Sequence, residues 1–320
     1  MKYRPTFFRV FAIILSLCAS LPAQEKQVKS VSENLRMQEV SSQVFFHASV
    51  WDKSAKGFVK GLTSKDFSIV IDRKPQEISF FQEADFPATV GIMFDVSGSM
   101  TGETGFPKAE MERGVDGLNT FIENSNPNNK YFLVAFSEEP SLIQETTSDR
   151  EKIETAFVTL STTLPKSNTR FFPSMKYCVE KLTSESGQKK ILLIVSDGIS
   201  NSIKLRDYTA VRDYVRQNGI VIYMINHQRS FIQYLDGAES SPLIEKIAEE
   251  SGGRVLYPSN VNEQRFSFAL LASELRNQYL IGFVPKSNQK LKWNGMKIKL
   301  NGAFAADKLR INAPTGYFYQ

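Results

Sequence analysis

Two stretches, Thr89-Val90-Gly91-Ile92-Met93-Phe94-Asp95 and Ile191-Leu192-Leu193-Ile194-Val195-Ser196-Asp197, each run through apolar residues into an aspartate. An apolar run of that length followed by Gly/Ser turn chemistry reads as a strand buried on both faces of a parallel sheet. Such a sheet needs helices on both sides, and open α/β sheets bind ligands beyond the carboxyl ends of their strands. Asp95, Ser97 and Ser99 therefore share one loop at a functional edge, and Asp197 falls at the same edge. Carboxylates and hydroxyls are hard oxygen donors, suited to Mg2+, Mn2+ or Ca2+ rather than to zinc or copper.

The segment around these strands alternates between strand and helix periods over residues 88–277. A helix over Pro107–Asn124 places Met111, Val115, Leu118, Phe121 and Ile122 on one face. Tyr131–Phe136 is a strand with Ser141–Glu145 as its hairpin partner. Ser148 and Glu151 have capping-box spacing for a helix carrying Ile153, Ala156, Phe157 and Leu160. After a loop from Ser161 to Arg170 comes a helix with Met175, Cys178, Val179 and Leu182 on its apolar face. A helix over Tyr208–Asn218 stops at Gly219, the strand Ile220–Ile225 follows, and Ser241-Pro242 opens a helix that Gly252-Gly253 closes. A strand at Val255–Tyr257 and a helix at Glu263–Arg276 complete the pattern. The expectation is an α/β, Rossmann-like, doubly wound and mostly parallel sheet. Residues 39–87 and 278–320 have strand period only, and each is short of strands for a sandwich of its own. They are predicted to pack together as one small β-sandwich flanking the α/β layer.

The first residues read as a targeting segment. Lys2, Arg4 and Arg9 precede the apolar run Val10–Leu17, and Ala19, Ser20 and Ala23 offer small residues for cleavage, which is a signal-peptide pattern over 1–23. That run is too short for a membrane-spanning helix, so no span is expected after cleavage. Residues 24–38 are polar and read as a flexible leader. Cleavage removes three basic residues and no acidic one, so the formal net charge falls from +5 to +2. That balance gives no clustered basic footprint for nucleic acid. It also leaves Cys178 alone, at helical spacing with apolar neighbours, as a core residue rather than a reactive thiol.

Asp95-x-Ser97-x-Ser99 is joined by Thr169, in the loop before the Cys178 helix, and by Asp197 at the end of the other buried strand. In that order the five residues resemble the von Willebrand factor A domain and its metal-ion-dependent adhesion site (MIDAS), whose motif is Asp-x-Ser-x-Ser, then a distant Thr, then a distant Asp. Gly61-Leu62-Thr63 with Asp66-Phe67, Ser251-Gly252-Gly253-Arg254, and Leu275-Arg276-Asn277-Gln278-Tyr279 resemble a bacterial, exported branch of that family, in which a β-rich segment precedes the A domain and a strand-rich tail ends in Gly-Tyr, as at Gly316-Tyr317. That branch often has glycines before the Thr, where this chain has Ser167-Asn168.

The resemblance implies a divalent metal, Mg2+ or otherwise Mn2+ or Ca2+, held by Asp95, Ser97, Ser99, Thr169 and Asp197. Three of the five donors are neutral, so the ion stays electrophilic and is able to accept an Asp or Glu carboxylate from a protein partner. Met100, Glu103, Arg170, Phe171, Ile199 and Asn201 surround that edge and are the expected partner-facing residues, with Phe171 and Phe172 equally readable as the buried start of the next helix. The expected function is non-enzymatic: an exported adhesion or envelope-interaction protein, periplasmic, cell-surface or secreted. Two alternatives stand beside it, a scaffold in an envelope assembly and a metal-dependent hydrolase. The hydrolase needs a general base, for which His227, Glu103 and Lys108 are thin candidates, and no Gly-x-Ser-x-Gly, P-loop or His-Glu-x-x-His motif is present.

Overall fold

The computed structural model describes residues 43–101, 109–162, 168–187, 189–200, 203–227, 238–239, 241–286, 291–304 and 307–319. The signal-peptide and leader readings fall outside them. In chain order the first strands are β1 (Val44–Asp52), β2 (Gly57–Phe58), β3 (Phe67–Ile71), β4 (Lys74–Gln76) and β5 (Ile78–Glu83). The α/β portion follows: β6 (Thr89–Asp95), α1 (Gly98–Thr101), α2 (Ala109–Asn124), β7 (Lys130–Phe136), β8 (Pro140–Thr147), α3 (Arg150–Thr162), α4 (Phe171–Ser184), β9 (Lys190–Ser196), β10 (Ile199–Ser200), α5 (Leu205–Asn218), β11 (Val221–Asn226), β12 (Ala238–Glu239), α6 (Ser241–Ser251), β13 (Arg254–Leu256) and α7 (Val261–Arg276). The chain closes with β14 (Tyr279–Phe283), β15 (Lys292–Gly295), β16 (Lys297–Leu300), β17 (Leu309–Asn312) and β18 (Gly316–Tyr319).

The central sheet has the order β13-β11-β9-β6-β7-β8, parallel throughout except that β8 runs antiparallel to β7. Every residue of β6 is buried, as a strand covered on both faces requires. The two-residue side-chain period sorts the sheet into two layers. Val90, Ile92 and Phe94 join Ile191, Leu193 and Val195 against α2, α3 and α7. Met93, Leu192, Ile194, Phe132 and Val134 face the other way, against α4, α5 and α6. This is the Rossmann-like α/β arrangement expected from the sequence. The chain leaves β6 for β7 and β8 on one side and returns to β9 on the other. That reversal puts the topological switch point, where open α/β sheets bind their ligands, between β6 and β9, whose carboxyl ends carry Asp95 and Asp197.

Outside this layer, β14 lies between β1 and β5, with β17 on the far side of β1, while β16, β3 and β4 form a three-stranded sheet. N-terminal and C-terminal strands thus interleave around Phe46, Val50, Phe67, Ile69, Ile281 and Phe283. A chain truncated after residue 277 loses the strand between β1 and β5. We expect its residues 44–83 to lose amide protection, and a truncated chain whose β1 and β5 stay protected would refute this interleaving.

Two local readings change. The N-cap of α3 is Asp149 rather than Ser148: its Oδ1 accepts the N–H groups of Glu151 at 3.1 Å and Lys152 at 3.5 Å, and the helix starts one residue later. β15 and the β10–β12 pair lack the alternating length that would mark them in sequence. Cys178 is fully buried, and burial pushes its thiol pKa up, in keeping with a core role.

Candidate metal centre

Asp95 is the last residue of β6 and has no exposed surface. Its Oδ1 accepts the Ser97 N–H at 2.9 Å, an Asx turn that folds the loop back over the strand end. Its Oδ2 accepts the Ser196 hydroxyl at 2.6 Å. Ser196 ends β9, and its Oγ also accepts the Gly198 N–H at 3.0 Å, while its carbonyl accepts the His227 N–H at 2.9 Å. Asp197 follows and accepts the Ile199 N–H at 3.0 Å on Oδ1.

Thr169 arrives from a different part of the chain. α3 packs on one face of the sheet and α4 on the other, so the segment joining them crosses from face to face. The crossing is pinned on both sides: the Arg170 N–H donates to the Ser137 carbonyl at 2.8 Å, and the Ser200 hydroxyl donates to the Thr169 carbonyl at 3.0 Å. Asp95, Ser97, Thr169 and Asp197 are all at most 4 % exposed, so four of the five expected ligands lie buried around one strand edge. Ser99 is in α1, and its side chain lies outside the described residues.

The electrostatics of the edge are unbalanced. Burial first, and then the charge of Asp197, push the Asp95 pKa up from the ordinary carboxylate value to about 7, against hydrogen bonds from Ser196 and Ser97. Two buried like charges call for a cation between them or a proton on one of them. Among the described residues no group of three or more His, Cys, Asp or Glu side chains comes together. The donor set is therefore two carboxylates plus hydroxyls, which fits a hard divalent ion that keeps some water.

The surrounding residues divide. Met100 and Phe171, expected to face a partner, are 1 % and 0 % exposed. The Met100 N–H donates to the Ser97 carbonyl, Phe171 packs edge-on against Phe136 and Phe172, and the Phe171 side chain belongs to the apolar layer on the α4 face of the sheet. Arg170 is exposed and pairs with Glu139 at 2.6 Å, and Ile199 is half-buried. Glu103, Lys108 and Asn201 lie outside the described residues. His227 is buried, with Nε2 3.2 Å from Gln264 Nε2 on α7. The sequence reading did not single out the roles of Ser196 and Ser200. The Val-Ser-Asp-Gly string held the clue for Ser196, since a serine before the strand-end aspartate points to the neighbouring strand.

A family model for the von Willebrand factor type A domain matches residues 90–199, a span that runs from β6 to β10. A search of curated proteins found no match. Among solved structures, similar chains include a von Willebrand factor type A protein from Catenulispora acidiphila (11% identity, 82% of this chain and 76% of that one, TM-score 0.49). Another is the conserved hypothetical protein BatB from Bacteroides thetaiotaomicron (13% identity, 59% and 98%, TM-score 0.47). A third is proximal thread matrix protein 1 from the mussel byssus, solved with a zinc-occupied MIDAS motif (18% identity, 61% and 49%, TM-score 0.45).

Proposed function

We propose that this chain, whose residues 90–199 match the von Willebrand factor type A domain, is an exported, non-enzymatic binding protein that grips a protein partner through a divalent metal. The observation that carries the reading is the pair of buried carboxylates, Asp95 and Asp197, at the ends of the neighbouring strands β6 and β9, where the charge of Asp197 helps to raise the Asp95 pKa. When bound, Mg2+ supplies a Lewis-acidic centre able to accept a partner's Asp or Glu carboxylate. Mn2+ and Ca2+ share the donor types.

The chain's own residues do the positioning. Ser196 and the Ser97 backbone aim the Asp95 oxygens, Ile199 aims Asp197, and Ser200 holds the loop that carries Thr169. Arg170 and Ile199 are the described residues left to meet a partner at the rim. His227, one of the base candidates of the hydrolase alternative, is buried with Nε2 3.2 Å from Gln264 Nε2. Among the described residues no helix is long and apolar enough to cross a membrane.

The test is capture of partners from an envelope fraction by the immobilised chain in Mg2+ or in EDTA. We expect capture in Mg2+, loss in EDTA, and loss in Thr169→Ala and Asp197→Ala. If EDTA and Asp197→Ala leave capture unchanged, the metal only stiffens the loops, and the scaffold reading replaces adhesion.

A further inference from the structure

The α/β layer and the strands flanking it meet along a seam rich in buried charge. The chain crosses it twice, at residues 84–88 and 276–278, and the crossings lie side by side: the Ala84 N–H donates to the Gln278 carbonyl at 3.4 Å, and Arg276 pairs with Asp85 at 2.8 Å. Lys189, at the entry to β9, is 4 % exposed and donates to the carbonyls of Leu275 at 2.5 Å and Phe86 at 3.4 Å. Glu274 on α7 is fully buried and accepts from Ser49 of β1, Tyr223 of β11, Arg254 of β13 and Asn312 of β17.

His47 sits on β1 on the face it shares with Ser49, turned away from Phe46 and Ala48 in the sandwich core. Its ring meets Phe86 edge-on at 6.0 Å, the residue whose carbonyl Lys189 holds. Its Nε2 is buried with no hydrogen-bond partner. A neutral imidazole is tolerated there. A proton on Nε2 is disfavoured, because that nitrogen is buried with no acceptor, on a half-buried ring whose neighbour is the Lys189 ammonium.

We infer that the seam is an acid-operated joint, in which protonation of His47 loosens the flanking strands from the α/β layer while the central sheet stays folded. The charged groups around it are Lys189 from the entry to β9, Asp85 from the first crossing, Glu274 and Arg276 from α7, and Arg254 from β13. Of these, Lys189 acts directly on the imidazole, and burial together with that ammonium lowers the His47 pKa from 6.5 to about 3. In the open seam the ring regains its ordinary value, so the open state binds the extra proton between those two limits. The closed state therefore loses population as pH falls below about 6.5, approaching tenfold per pH unit in the opening constant until about pH 3.

Hydrogen exchange of the full chain in EDTA, over pH 4 to 7, tests this, with each segment's rate divided by its intrinsic rate and compared with β7 in the same sample. We expect β1 and β17 to lose protection on acidification by close to tenfold per pH unit while β7 and β9 hold. His47→Gln should flatten that dependence. Lys189→Met, which keeps an imidazole but removes the ammonium, raises the closed-state pKa, so the loss of protection should begin at the same pH but level off at a higher pH than in wild type. Wild-type slopes in both variants would overturn the inference. So would loss of protection in β1 and β9 together, because the joint would then not be local.

Discussion

Mg2+ is expected to raise the melting temperature of the wild type, and Asp95→Asn to abolish that rise and at the same time to raise the melting temperature of the metal-free protein at pH 8. Burial and Asp197 raise the Asp95 pKa towards about 7, so the folded, metal-free site favours the protonated acid. The sign follows from a folded pKa above the unfolded one. The contribution of Asp95 is fully present below the ordinary carboxylate value and is lost as pH rises through about 7. At pH 8 the charged pair costs on the order of 3–4 kcal/mol, which at roughly 2–4 °C per kcal/mol is about 10 °C. Asparagine keeps an oxygen for the Ser97 N–H and sheds the charge, so it recovers most of that loss. Near pH 4 wild type and variant should melt together. Differential scanning fluorimetry at pH 4.5 and 8, with EDTA and with Mg2+, reads all of this. A metal-free Asp95→Asn protein that melts below wild type at pH 8 would mean the carboxylate is balanced within the chain, which removes the argument for a metal.

Glu274→Ala should be the most destabilising single change outside the sheet core, about 3–5 kcal/mol by urea unfolding. The substitution strands the Arg254 guanidinium, whose side chain is 13% exposed, and leaves the donors of Ser49, Tyr223 and Asn312 facing a void. Glu274→Gln retains an acceptor and the volume, so its loss should be smaller. The damage should also appear on both sides of the seam, because two of these donors come from flanking strands and two from the central sheet. A Glu274→Ala protein within 1 kcal/mol of wild type, by the same measurement, would show that the network fixes geometry without stabilising it.

The seam also explains a string that the sequence marks only by resemblance. In Ser251-Gly252-Gly253-Arg254, a Cβ on Gly253 would lie 1.8 Å from the Ile222 carbonyl oxygen, so the backbone approach there tolerates only glycine. Gly252 has φ +87° and lies against Ala313 and Pro314, and its carbonyl accepts from Asn312 at 2.7 Å. Ser251 accepts the Ile222 N–H at 3.0 Å, and Arg254 pairs with Glu274. Ser251 and Gly253 thus fit the string against Ile222 of β11 within the α/β layer, while Gly252 meets the C-terminal strands and Arg254 the buried Glu274.

What the sequence determined by itself is what a local period can encode. Alternation along β6, β7 and β9 specifies which side chains enter which layer, helical spacing places Met175, Cys178 and Leu182 inward, and an apolar strand ending in aspartate places a carboxylate at the ligand edge. Asp95, Ser97, Ser99, Thr169 and Asp197 are marked in the sequence by residue type and chain order, and the structure adds that Asp95, Ser97, Thr169 and Asp197 are buried. Met100 is buried rather than partner-facing, and Phe171, for which the sequence left partner contact and the buried start of a helix both open, is the latter, since proximity to a loop does not say whether a side chain turns out or in. Only the tertiary structure decided that, as it decided the partnership of Ser196 with Asp95 and the meeting of His47, Lys189 and Glu274. Those pairs lie 100 or more residues apart in several cases, Ser196 and Asp95 among them. Their contacts are set by which elements pack together, and no period within a strand or helix records that.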